Sequence, residues 1–407
     1  MMLSFFLAAI FVVDTDAYVS KAALPSNVQL QFLQQSTRQI IESPPGELTE
    51  ADIASSHHIL KGWARLSKNA ESIHSNSKND RSKRTKSDVV VTSSKENAVA
   101  IENLLKRLVD ETKAGNTKAN PTTEDYNNML EVWARSGEGV FAAERCEAIL
   151  TQMQEQYETD GDRLVQPNLD SFKICLMAWK HAGGDSLSSF RAQRILEWMM
   201  SLYTSGKNEK AFPDVSCWIV VLQSWSRNNH KQAPAYAENL LSTMEKLNDQ
   251  GAIAYGVRER TLAYNAVLGV HVNSSNSGNP KTWQRACDVL SFMESHPDIE
   301  PDRVSYHIVM GALVRSGDPR AASIADKILK VVENQHKKGK LSWNPDTFLF
   351  NSAMGCWAHS TKSGAYRKAR SILDRQQNLF FGGCGSSRPD VSFAKHPVKI
   401  YILRSLF

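Results

Sequence analysis

The chain has 407 residues, 42% of them hydrophobic and 22% charged, with a formal net charge of +5. That length holds two or three ordinary domains or one long repeat array, and the apolar content supplies a buried core, which sets aside a chain that stays unfolded. The mild basic excess suits a polyanionic partner without demanding one. The six cysteines, Cys146, Cys175, Cys217, Cys287, Cys356 and Cys384, form no CxxC pair and fall mostly within apolar helical patterns. They read as packing residues in a reducing compartment, and their scattered spacing speaks against a disulfide framework.

In chain order, the first element is an apolar run of eleven residues, Leu3 to Val13. At ~1.5 Å per residue it is too short to cross a bilayer as a helix, and it has the length of a signal-peptide apolar region. From Tyr18 to Ile41 the chain carries Lys21 and Arg38 and no acid, the composition of a transit peptide. Residues 1–41 are therefore expected to be a two-part targeting presequence. Import into an organelle is the expectation, a plastid ahead of a mitochondrion, with a plain secretory route as the alternative. No stable membrane insertion is expected once the presequence is removed.

Residues 47–119 read as a degenerate helical hairpin, SSHHILKGWAR (55–65) followed by AVAIENLLKRL (98–108). Between them, 67–97 is rich in Ser, Asn and Lys and reads as a disordered insertion. The basic stretch RSKRTK (81–86) within it reads as a solvated loop, with a flexible arm that adds phosphate contacts as the alternative.

From residue 120 the chain repeats itself. Aromatic residues at Tyr126, Phe172, Trp218, Tyr264, Tyr306 and Phe350 stand 46, 46, 46, 42 and 44 residues apart. Five residues before each stands a proline, Pro121, Pro167, Pro213, Pro301 and Pro345, except before Tyr264. Seven residues after come Trp133, Trp179, Trp225, His271, Leu313 and Trp357. Each copy has a second half led by a small residue, with Ala143, Ala192, Ala237, Ala286 and Ala369 among them. Tyr126, Met129, Leu130 and Trp133 follow the i, i+3, i+4, i+7 spacing of one helix face, as do Cys146, Ile149, Leu150 and Met153. The unit is thus helix–turn–helix, about 14 residues per helix, entered at the proline, with long loops extending the period.

One hairpin cannot bury its own apolar face, whereas stacked neighbours bury it for one another. The expected fold is all-α, a right-handed solenoid of six stacked helix–turn–helix repeats over 120–388. Residues 389–407 would open a seventh repeat or form an atypical tail. The recurrent Trp reads as a packing residue, and the recurrent Ala as the point of close helix approach.

Nothing in the sequence marks an enzyme or a cofactor site. There is no GxxxxGK[ST], no GxGxxG after a strand and no HExxH. His57-His58 lacks spaced companions for zinc and reads as helix surface. The glycine-rich GGCGSS (382–387) reads as a linker.

The words PDVSCW (213–218), PDRVSYH (301–307) and PDTFLFN (345–351), with looser copies at 121–127 and 167–173, resemble the pentatricopeptide repeat, although the period here exceeds that family's usual unit. The resemblance implies a non-enzymatic, sequence-selective protein of organelle RNA metabolism that binds single-stranded RNA, one base per repeat. It takes no small-molecule substrate, and other proteins of RNA metabolism are further partners. By the same resemblance, base-reading pairs fall at Asn127 with Asn168, Asn265 with Asp302, and Asn351 with Asp390. Leu262, Val304 and Phe348 fall at the base-clamping position, and Lys173 is a phosphate contact. The pairs Lys173/Asp214, Ile219/Arg260 and His307/Asp346 depart from the pattern, as do Glu124, Asp170 and Ser216 at the clamping position. Read without the resemblance, an Asn in a first turn is a local hydrogen-bonding residue, and an Asp after Pro favours the helix dipole. The alternative function is a tetratricopeptide-type scaffold that grips a peptide.

Overall fold

The computed structural model describes residues 26–44, 46–77, 95–183, 186–274, 282–360 and 363–382. Among them are fifteen α-helices, two single turns of 3-10 helix and no strand. The helices are α1 (Ser26–Glu42), α2 (Glu50–Ser77), α3 (Lys95–Lys113), α4 (Thr123–Ala134), α5 (Val140–Asp160), α6 (Leu169–Ala182), α7 (Ser186–Thr204), α8 (Val215–Trp225), α9 (Ala233–Asp249), α10 (Val257–Ser274), α11 (Thr282–Ser295), α12 (Arg303–Ser316), α13 (Ala321–Lys337), α14 (Thr347–Ala358) and α15 (Ala365–Phe381). The chain divides into two compact units within α8, after Val221. Each unit is a stack of helical hairpins in which the first helix of a repeat packs on the first helix of the next. In the first unit α2 packs on α4 and α4 on α6; in the second, α10 packs on α12 and α12 on α14. This is the helix–turn–helix solenoid expected from the periodicity.

The residues that recur in the sequence build the core. Tyr126, Phe172, Trp218, Tyr264, Tyr306 and Phe350 are all buried, as are Trp133, Trp179, Trp225, His271, Leu313 and Trp357. Ala143, Ala192, Ala237, Ala286 and Ala369 are buried too, at positions where a larger side chain would hold helices apart. Complete burial of an aromatic of this size contributes about 3 kcal/mol at ~25 cal/mol per Å².

Each prolines' site differs from expectation by two residues. Helices α4, α6, α12 and α14 begin two residues after Pro121, Pro167, Pro301 and Pro345, so the proline precedes the N-cap rather than opening the helix. The caps are Thr122, Asn168, Asp302 and Asp346, all in extended backbone, and each side chain accepts the backbone N–H three residues on. A short polar side chain there satisfies an N–H that has no carbonyl partner inside the helix.

The long period also has a different source. Second helices run to 21 residues in α5, 19 in α7 and 17 in α9, α13 and α15, so much of the extra length is helix rather than loop. The tail of α5, QEQYETD, consists largely of residues that favour or tolerate helix, and it stops at Gly161, whose φ of 66° few other residues adopt.

Near the N-terminus two stretches of the described chain are helical. Residues 26–41, expected within a presequence, lie in α1, which packs on α2 and α3 with Leu30, Leu33 and Ile40 buried. Trp63 Nε1 donates to the buried Thr37 Oγ1 at 3.0 Å, while the exposed face carries Gln31, Gln34, Gln35, Arg38 and Gln39 rather than acids. The loop after α1 is fastened to α3 by a buried pair. Arg107 reaches the Ser43 and Pro44 carbonyls, and Glu111 accepts from Gly46 N–H at 2.8 Å while bound to Arg107 at 2.7 Å. Arg107 first, against burial, holds the Glu111 carboxyl below its ordinary pKa. Further on, residues 67–77, expected in a disordered insertion, continue α2 as helix. Residues 78–94, with RSKRTK, the apolar run Leu3–Val13, and the tail 389–407 lie outside the described residues.

Candidate functional site

The residue after each recurrent aromatic sits on the first turns of its helix, and in four repeats it reaches the N-cap of the next repeat's first helix. In the first unit, Asn127 Nδ2 donates to Asn168 Oδ1 at 3.2 Å, and Lys173 Nζ donates to Asp214 Oδ2 at 2.8 Å. In the second, Asn265 Nδ2 donates to Asp302 Oδ1 at 3.0 Å, and His307 Nε2 lies 2.9 Å from Asp346 Oδ2. Two of the pairs that the resemblance names are therefore joined, and so are two that depart from its pattern. The link is a rung between repeats, built by any side chain there that can donate to the cap.

A further rung lies in the degenerate repeat. His57 follows Ser56, which holds the aromatic's place in the degenerate repeat, and its Nδ1 lies 2.9 Å from Asp125 Oδ1. Asp125 is the third residue of α4 and closes a capping box with Thr122. The bond to Asp125 first, opposed by burial, raises the His57 pKa. His57 is thus a link between repeats rather than plain helix surface, and the sequence signal was its register behind Ser56.

Lys173, named as a phosphate contact, already faces a carboxylate. Burial works against its charge, and Asp214 outweighs burial, so its pKa is raised. Asp214 is lowered although burial opposes, because Lys173 and Ser216 both donate to it. The third named pair is half outside: Asn351 is half-buried on α14, and Asp390 lies outside the described residues. Ile219 is buried on α8, and Arg260 is held by Glu245 at 3.3 Å and lies over the Tyr255 ring.

The clamping position separates the two units. In the second, Val304 is 50% and Phe348 44% exposed, large apolar side chains left on the surface, and Leu262 is half-buried. The Phe348 ring lies 4.5 Å from the His307 ring, so the apolar surface adjoins a rung. In the first unit the same position carries Glu124 and Asp170, both exposed, and half-buried Ser216.

Away from the rungs, the recurrent Trp does more than fill space. Trp133 Nε1 donates to Glu102 of the preceding repeat at 3.2 Å, and Arg145 binds the same carboxylate. Trp179 Nε1 donates to Glu147 at 3.0 Å, and Arg191 NH1 joins it at 3.1 Å. In the second unit His271, at the Trp position, lies 3.1 Å from Glu238, which Arg285 also binds. Burial, joined by Arg285 and opposed by Glu238, lowers the His271 pKa. The sequence signal for these clasps was an acid about 32 residues before each Trp.

Among the described residues no group of three or more His, Cys, Asp or Glu is placed to hold a metal ion. The described cysteines are free, and burial raises the pKa of each, to about 12 for Cys287 and Cys356, so none is a ready thiolate nucleophile. A cleft of about 440 Å³ between α5 and α7 is lined by Glu147, Gln154, Glu158 and Arg194 among others. Glu147 is held in its clasp, and Glu158 by Gln154 and Lys207. No described helix is long and apolar enough to cross a membrane.

The helices and rungs define a helical-repeat protein. No protein-family model matches the chain, and no curated protein matches it. Among solved structures it is similar to the pentatricopeptide repeat protein PPR10 in complex with an 18-nt psaJ RNA element, in two crystal structures, the second of a triple cysteine-to-serine variant. Each is 14% identical, with a TM-score of 0.33, and the likeness covers 100% of this chain and 58% of that one. The chain thus spans little more than half the length of those structures. So low a score carries no weight for fold or ligand, and the class rests on the chain's own helices.

Proposed function

We propose that the chain is a non-enzymatic protein that binds single-stranded RNA, chiefly through its second unit. The observation that carries this is the apolar surface at Val304 and Phe348, set beside the rungs Asn265–Asp302 and His307–Asp346. An unstacked base needs a flat apolar contact for its face and directed polar atoms for its edge. An apolar side chain two residues beyond a polar cap supplies both within one turn of helix. The Asn351–Asp390 pair and Leu262 extend the same reading. Sequence selectivity follows from the donors and acceptors at the rungs, and action in an organelle from the signal-like run Leu3–Val13 with the acid-free residues 18–25 that follow it. Fusing residues 1–25 to a fluorescent protein tests the latter by where the fusion accumulates.

The test of RNA binding is titration of the full chain with short single-stranded RNAs at two salt concentrations. Binding weakens with a log–log slope of about 0.7 per phosphate contacted, and the Asn265→Ala/Asn351→Ala variant loses selectivity among sequences. Equal binding to every RNA, unchanged in the variant, removes base reading.

For the first unit a second reading has its own support. Exposed Asp170 repels phosphate and suits a basic peptide, while Glu124 is paired with Lys61 and Lys173 with Asp214. That is the tetratricopeptide-type alternative, restricted to one unit. A lysine- and arginine-rich peptide competing with RNA at the second unit would contradict it.

A further inference from the structure

The rungs differ in what their donors need, and the residue just before the next aromatic differs with them. An Asn side chain has an acceptor as well as donors, whereas a lysine has donors alone. Behind both described Asn rungs stands a serine. Ser171 Oγ donates to Asn127 Oδ1 at 2.6 Å, and Ser305 Oγ donates to Asn265 Oδ1 at 2.6 Å. Behind Lys173 and His307 the same place holds Cys217 and Leu349, which offer no comparable donor. The hydroxyl therefore occurs where an amide carbonyl needs a partner, and it is absent behind Lys173, which only donates, and behind His307, whose imidazole carries no carbonyl.

The serines are themselves fixed. Ser305 Oγ accepts from Asp302 N–H at 3.1 Å, and Ser305 N–H donates to Asp302 Oδ1 at 2.9 Å, which closes the capping box of α12. Ser171 and Asn168 do the same at α6. Both serines are fully buried. Asp302, as a carboxylate, only accepts, so the nitrogen of Asn265 must face it and the oxygen must face Ser305. The amide is held at two points, with its carbonyl oxygen occupied. One Nδ2–H of Asn265 and of Asn127 has no hydrogen-bond acceptor among the described residues.

We infer that Ser171 and Ser305 are positioning residues that fix the orientation of Asn127 and Asn265 and occupy their carbonyl oxygens, so that each amide meets a ligand as a donor. The inference rests on the proposal that these rungs meet RNA bases. A base then docks by an acceptor atom on its edge. Removing the hydroxyl leaves the amide pivoting on its single bond to the cap, with its oxygen free to accept as well.

The test uses the full chain labelled with carbon-13 and nitrogen-15 in its asparagine side chains, as wild type, Ser305→Ala and Ser305→Thr. The Asn265 resonances are assigned by their loss in Asn265→Leu. In Ser305→Ala the Asn265 side-chain carbonyl resonance moves upfield as its hydrogen bond is lost, and in Ser305→Thr it returns. Alongside, binding is measured for two short RNAs that differ by one uridine-to-cytidine change at the preferred position. The ratio of their affinities narrows roughly fivefold in Ser305→Ala, the worth of one hydrogen bond, and recovers in Ser305→Thr. A carbonyl resonance unmoved in Ser305→Ala, or moved equally in Ser305→Thr, overturns the inference. Absence of RNA binding in the wild type overturns the RNA proposal instead, and the carbonyl resonance still decides the role of Ser305.

Discussion

The two units use one device and decorate it differently. In the first, the rungs are His57–Asp125, Asn127–Asn168 and Lys173–Asp214, and the clamping position is acidic or small and polar. In the second, Asn265–Asp302 and His307–Asp346 stand beside exposed Val304 and Phe348. The difference teaches that a rung is first an architectural link that satisfies the cap of the next helix. What the unit can bind is set by the side chains flanking the rung.

The core should not share that difference. Phe172 and Phe350 occupy the same place in the two units and are both fully buried. Phe172→Ala and Phe350→Ala are each expected to cost about 3–5 kcal/mol in denaturant unfolding, because each leaves a cavity that the stack cannot close. A loss confined to one unit would break the equivalence of the repeats.

The flanks should separate the units. The pair Val304→Glu/Phe348→Glu is expected to lower RNA affinity at least tenfold, since base stacking on a side chain is worth ~1–3 kcal/mol. Glu124→Gln/Asp170→Asn should leave affinity unchanged or slightly higher. Fluorescence anisotropy with a labelled RNA reads both.

The clasps give a smaller contrast. Glu147→Ala leaves Trp179 Nε1 and Arg191 without their acceptor and is expected to cost about 1–3 kcal/mol. Glu147→Gln, which keeps an acceptor for the indole, should recover part of it. Glu238→Ala should cost less, because Glu238 and Arg285 are more exposed than Glu147 and Arg191 and the neighbour is His271 rather than Trp. Thermal unfolding of the three variants orders them.

The smallest effect is one of sign. His57 has its pKa raised from 6.5 by Asp125, so its contribution is present below 6.5 and is lost as pH rises through the folded value. His271 has its pKa lowered by burial, so its contribution is present above 6.5 and is lost as pH falls through the folded value. Hydrogen exchange across this range, normalised to intrinsic rates, should show α2 and α4 better protected on the acid side and α10 on the neutral side. His57→Gln and His271→Trp should flatten the two trends.

Much of this was legible in the sequence. The period, the aromatic, the Trp and the small alanines all report on a core that every repeat must rewrite. The rungs were legible as positions but not as bonds, because Asn127 and Asn168 meet only across two repeats. The clasp at Glu147 was hidden for the same reason: its donors Trp179 and Arg191 belong to the next hairpin. Helix α1 is hard to read because its exposed face carries glutamines and Arg38 rather than acids, which is also the composition of a transit peptide. The extra length in α5 is hard to read because its tail, QEQYETD, is polar, and a polar helix end carries no apolar period.

Ultraviolet crosslinking of the full chain to a short single-stranded RNA, with the crosslinked peptides mapped by mass spectrometry, tests the central claim most directly. The account predicts adducts on peptides of the second unit that carry Val304 and Phe348, and their loss in Val304→Glu/Phe348→Glu. Adducts confined to the first unit around Glu124 and Asp170, or none at an RNA concentration that saturates binding, would contradict it.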